Sequence, residues 1–111
     1  MSVTYKPLGT LSFTAGAALT KQIFIGVTSG IACGVGAKPL GVLELDVASG
    51  KQGTAINKGT ALVKAGAAVS KGAKLQSDAS GKAITYSSGV EVGYALNAAA
   101  AADELIEVLL S

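Results

Sequence analysis

SGKQGTAINKGTALVKAGAAVSKGAKLQSDASGKAITYSSG, residues 49–89, decides the fold. Glycine recurs through it at Ser49-Gly50, Lys58-Gly59, Ala65-Gly66, Lys71-Gly72, Ser80-Gly81 and Ser88-Gly89. The segments between these pairs are too short for helices and long enough for ordinary strands, and glycine accepts the positive φ angles of tight turns. The cadence predicts an all-β fold: a small single-domain β-barrel or β-sandwich-like structure of short strands. Asp78-Ala79-Ser80-Gly81 reads as a tight turn, with Asp78 bonding local amides and Gly81 left-handed.

Towards the C-terminus, Val90, Val92, Tyr94 and Leu96 alternate with Glu91, Gly93 and Ala95, the period of a strand. The last strand, Glu104–Leu110, is apolar after its first residue apart from Glu107, and both segments are expected to be central strands. Between them, Asn97–Asp103 carries five consecutive alanines and predicts at most one or two helical turns, or a packed loop.

Towards the N-terminus, Leu43, Leu45 and Val47 fall on one face of a strand whose other face, with Glu44 and Asp46, is expected to meet solvent. Ile23-Phe24-Ile25-Gly26-Val27 is apolar on both faces, the pattern of a strand covered on two sides by the core or by a neighbouring subunit. Ile23, Phe24, Ile25 and Val27 are therefore the candidate subunit interface. Residues 1–20 hold no sustained period and are expected as an N-terminal arm, with 21–111 as the β-domain. Tyr5, Lys6, Pro7, Leu8 and Phe13 are that arm's candidate partner contacts; the alternative is that Leu11–Thr14 is the first strand.

Composition narrows the function. Half the 111 residues are hydrophobic and only 14% are charged, a lean supply of polar surface for a small monomer. Oligomerisation or docking on a larger surface accounts for it; the alternative is that Ala and Gly content raises the mean hydropathy without adding much apolar area. All nine cations are lysines, scattered from Lys6 to Lys82, with no arginine or tryptophan, which argues against nucleic-acid binding. The one cysteine, Cys33, permits no intrachain disulfide and lies among apolar neighbours, suiting assembly in a reducing compartment. The weakly polar tract Ile23–Ala37 is broken by glycines and is shorter than the roughly 20 residues of a membrane helix. With no secretory signal, synthesis in the cytoplasm is expected and no membrane partner.

Histidine is absent from the sequence, which removes the commonest general base and metal ligand. No phosphate loop, dinucleotide fingerprint or calcium loop occurs; Glu44 and Asp46 alone are weak cation ligands. The expectation is a non-enzyme without cofactor or metal.

An ordered series of segments then carries a resemblance. Gly41-Val42-Leu43 leads to Ala48-Ser49-Gly50, followed by Gly59, Val63, Lys64-Ala65-Gly66-Ala67-Ala68-Val69 and Lys71-Gly72. Ser77-Asp78-Ala79-Ser80-Gly81-Lys82-Ala83, Val92-Gly93-Tyr94-Ala95-Leu96 and an Ala-rich link into Glu104–Leu110 complete it. In this order the chain resembles the small decoration, or cement, proteins of tailed-bacteriophage capsids. The resemblance implies a β-barrel-like subunit, commonly a homotrimer, on the outer surface of the virion. Its partner there is the major capsid protein, whose expanded lattice it stabilises. Residues 1–40 match less clearly; the expected grip on the capsid is the arm, because its apolar anchors sit in a segment with little local reason to fold. The turns around Lys71-Gly72 and Asp78–Lys82 also look like biotinyl or lipoyl carrier domains, but Lys82 lacks the flanking residues such carriers use. A minor structural or adhesive virion protein is the third alternative.

Overall fold

A computed structural model of the chain describes residues 7–26 and 31–110. Among them there is no helix, and eight strands follow one another: β1 (Pro7–Thr14), β2 (Phe24–Gly26), β3 (Pro39–Leu43), β4 (Gln52–Lys64), β5 (Lys74–Ser77), β6 (Ala83–Thr85), β7 (Gly93–Ala95) and β8 (Leu105–Leu110). Hydrogen bonding links them in the order β2-β3-β4-β8-β7-β5-β6, with β1 as an additional partner of β4, and every strand pair is antiparallel. The all-β expectation holds, and the sheet curls into a nearly closed barrel.

β4 is the spine. Its first half pairs with β1 and β3, and its second half, Thr60–Lys64, pairs with β8. Lys58-Gly59, expected as a turn, instead lies inside this 13-residue strand. Gly59 takes φ 89 beside register shifts in the β1 ladder, so the strand bends between its two sets of partners without ending. The other end of the path closes at the Asp78–Gly81 turn. The Asp78 carboxylate accepts the Ser80 and Lys82 amides at 2.8 and 2.9 Å, and Gly81 (φ 78) turns its carbonyl to the Phe24 amide at 2.7 Å.

β2 explains its own composition. Phe24 points into the main core with Ile56, Val63, Leu75, Ile106 and Val108, while Ile23 and Ile25 point into a second cluster with Leu43. Phe13, Leu19 and Val47 pack against that second cluster. Each fully buried large side chain contributes about 1.5–3 kcal/mol, so two-sided coverage of this short strand is a substantial part of the fold's stability. Gln76, also buried, accepts the Ser87 and Ser88 amides on its side-chain oxygen at 2.7 and 3.0 Å and so ties down the loop after β6.

Two local expectations are corrected, and a third is decided between its alternatives. β3 ends at Leu43, because the chain leaves the ladder to bridge Leu19 with Val47; Leu45 is therefore 67% exposed and not on the buried face. At Gly93 the φ of 150 reverses the pleat, so Gly93 and Ala95 face inward with Val92 while Tyr94 and Leu96 face out. The alanine run takes the packed-loop alternative: Val69 and Ala99 exchange both backbone bonds at 2.9 Å and hold Ala99 extended and buried.

Candidate functional site

The residues singled out in the sequence separate into three groups. Tyr5, Lys6 and Val27 lie outside the described residues. Pro7 and Leu8 begin β1, and Phe13, half-buried, packs on the second core cluster beside Gly53. Residues 7–14 of the expected arm are thus a strand of the barrel, zipped to β4 from Pro7↔Gly59 to Thr14↔Gln52. Ile23, Phe24 and Ile25 are 6, 0 and 0% exposed within the chain itself. The chain's own core covers these three side chains.

The reactive groups are quiet. Burial pushes the Cys33 thiol pKa up, although weak hydrogen bonds oppose the shift, and its sulfur lies 3.4 Å from the Ala37 carbonyl. A buried, protonated thiol is a poor nucleophile. The Lys82 ammonium bonds the Asp103 carboxylate at 2.5 Å, which raises the lysine pKa and lowers that of the acid. Asp46 accepts the Lys21 amide at 2.8 Å. Among the described residues no three His, Cys, Asp or Glu side chains gather as a metal site would require.

The surface offers an apolar sheet face instead. In β8, Ile106 and Val108 point inward, leaving Leu105 and Leu109 outside at 38 and 46% exposure. In β4, Ala61 and Val63 point inward and Thr60, Leu62 and Lys64 outward. The ladders set these outward residues side by side: Thr60 opposite Leu109 and Leu109 opposite Tyr94, then Leu62 opposite Glu107 and Lys64 opposite Leu105. The Leu96 amide bonds the Glu107 carbonyl at 2.8 Å and adds its side chain to the second row. Beyond Tyr94 comes Lys74, whose ammonium sits 4.8 Å from the centre of the Tyr86 ring. Tyr94, Leu96, Leu105 and Leu109 thus form one exposed apolar field, with Lys64 and Glu107 as its charged members. Sequence reasoning missed it, though the signal was present in Leu105–Leu110, a strand apolar on both faces of which the core covers one.

β1 supplies a second open feature. It pairs with β4 on one side, and among the described residues no strand or bridge lies on the other.

With the geometry in view, the comparisons with known proteins are specific. A family model described as "Phage cement protein" matches residues 6–110. Among solved structures, the chain is similar to the N base of the head fiber gp8.5 of bacteriophage phi29, at 18% identity and a TM-score of 0.79, with 93% of each chain covered. At that identity the likeness is one of fold. No curated protein sequence matches the chain.

Proposed function

The chain belongs to the phage cement protein family, and we propose that it is a capsid decoration protein that binds the outer surface of the major capsid protein lattice and stabilises the expanded head. The observation that carries this reading is the family match across nearly the whole barrel, residues 6–110. A phage head fiber base with the same fold supports placement on the head. Assembled as a homotrimer, the copies meet through the outer face of β7 and β8, where Tyr94, Leu96, Leu105 and Leu109 supply apolar area. Lys64 and Glu107 supply opposite charges able to pair between copies. The part it plays is mechanical and not enzymatic. A ligand that binds only the assembled shell lowers the free energy of that state relative to disassembly, and many modest contacts sum over the lattice.

Co-sedimentation with expanded and unexpanded heads lacking this protein tests the proposal. Binding to expanded heads alone, with a rise in the temperature at which they release DNA, is the expected result; no binding to either form refutes it.

A further inference from the structure

We infer that the free edge of β1, from Thr10 to Thr14, is a strand-acceptor site that takes an extended, uncharged segment of the head shell protein as an added strand. This rests on the decoration reading above.

The alternation of the ladder fixes which groups face the edge. The Ala15 amide donates to the Lys51 carbonyl at 2.9 Å, continuing the β1–β4 register. Counting back by twos, Phe13 and Leu11 direct their backbone groups at β4. The opposite side of β4 agrees: the Glu44 amide donates to the Thr54 carbonyl at 3.0 Å, so Thr54 faces β3 while Gly53 and Ala55, the partners of Phe13 and Leu11, face β1. Thr10, Ser12 and Thr14 are left with their N–H and C=O groups aimed outward, a ready template for another backbone.

Among the described residues nothing guards this template in the ways natural edges are guarded. From Pro7 to Thr14 there is no charged residue, although the chain carries nine lysines, and the bulge and proline fall at the start of the strand, before Thr10. The two faces set the chemistry of the guest. Leu11 is 42% exposed beside half-buried Phe13, and Thr10, Ser12 and Thr14 are exposed on the other face. An incoming strand with apolar residues on the Leu11 side and small or hydroxylated ones opposite matches both.

Length selects the occupant. An edge of five residues buries far less than the roughly 1,200 Å² of a stable protein pair, so two free copies would not hold together through it. A subunit already held on a lattice meets the shell segment at high effective concentration, and a short strand then suffices.

The test uses the full chain and expanded heads, stripped of this protein, of the phage that encodes it. Ser12→Pro removes one outward N–H and leaves the inward ladder intact, as edge prolines do. It should keep the wild-type circular dichroism and lose about tenfold or more in head affinity, the loss expected when a backbone bond is removed and its partner stranded. Ser12→Thr should bind as wild type. Thr10→Lys/Thr14→Lys charges the edge without altering the backbone and reads the same site should the proline variant not fold. On binding, the Thr10, Ser12 and Thr14 amides should exchange hydrogen more slowly. If wild type binds and both the folded proline variant and the lysine variant bind equally well, the edge proposal falls and decoration stands. If wild type itself does not bind expanded heads, both fall. Concentration-dependent protection of the same amides in the free protein would assign the edge to a second copy and overturn the proposal.

Discussion

The Phe24 amide donates to the Gly81 carbonyl at 2.7 Å, joining β2 to the turn before β6, the two ends of the strand path. Gly81 is confined there from two directions. Its φ is 78, and a Cβ built on it would lie 2.6 Å from the Phe24 carbonyl oxygen, a main-chain atom with no room to yield.

Gly81→Ala is therefore expected to open this closure or strain it, at about 2–3 kcal/mol. For a domain of this size that lowers the melting temperature by about 10 °C or more. Scanning calorimetry on the purified protein measures it, with Gly50→Ala as the comparison, since a Cβ at Gly50 meets nothing within 4 Å. Equal losses from the two would mean that left-handed backbone alone, and not the contact with Phe24, sets the cost.

On the assembly proposed above, the outer face of β7 and β8 allows association to be separated from folding. Leu109 and Tyr94 are neighbours across the ladder, and neither side chain belongs to the core. Leu109→Lys together with Tyr94→Lys should change the unfolding free energy of the protomer by no more than about 1 kcal/mol, as surface substitutions do. The same pair of changes should abolish the proposed homotrimer in sedimentation equilibrium. A trimer that persists would move the subunit contact to another face.

The Lys82–Asp103 pair gives a pH signature. Asp103 is depressed, chiefly by the hydrogen bond from Lys82, so its contribution is present above its unfolded pKa and lost as pH falls through the folded value. Lys82 is raised, chiefly by the same bond, so its contribution is present below its unfolded pKa and lost as pH rises through the folded value. The melting temperature of Asp103→Asn should lie slightly below wild type near neutrality. The two curves should merge in acid below the ordinary carboxylate range and in alkali above the ordinary lysine range. The gap is small, because exposed pairs are screened, and it should shrink further in high salt. A gap that widens in acid would contradict the pairing.

Much of this architecture was legible in the residues themselves. Glycine turns at Gly50, Gly72, Gly81 and Gly89 all carry positive φ, and the Asp78 turn forms as its composition dictates. What a local pattern does not encode is which partner covers a strand. Ile23-Phe24-Ile25 announced two covered faces, but only the long-range meeting of β2 with two separate clusters reveals that the chain covers both itself. The pleat reversal at Gly93 likewise lies beyond a period-two reading, which places Tyr94 and Leu96 inside when they form the exposed field. Gly59 looks like a turn because glycine serves turns and bends alike; the ladders on either side decide between them.

The bent spine β4 also governs how fast this protein reaches its native state. Thr10 pairs with Ile56 and Ala61 with Val108, so the two halves of one strand wait for residues far upstream and far downstream. Little of the barrel can be won by local contacts, and closing such long loops precedes any energetic return. Refolding is thus expected on the slow, millisecond-to-second scale of all-β domains. During that interval β4 is an uncovered strand, and both the Leu105–Leu110 segment and the charge-free β1 compete for copies of it on neighbouring nascent chains.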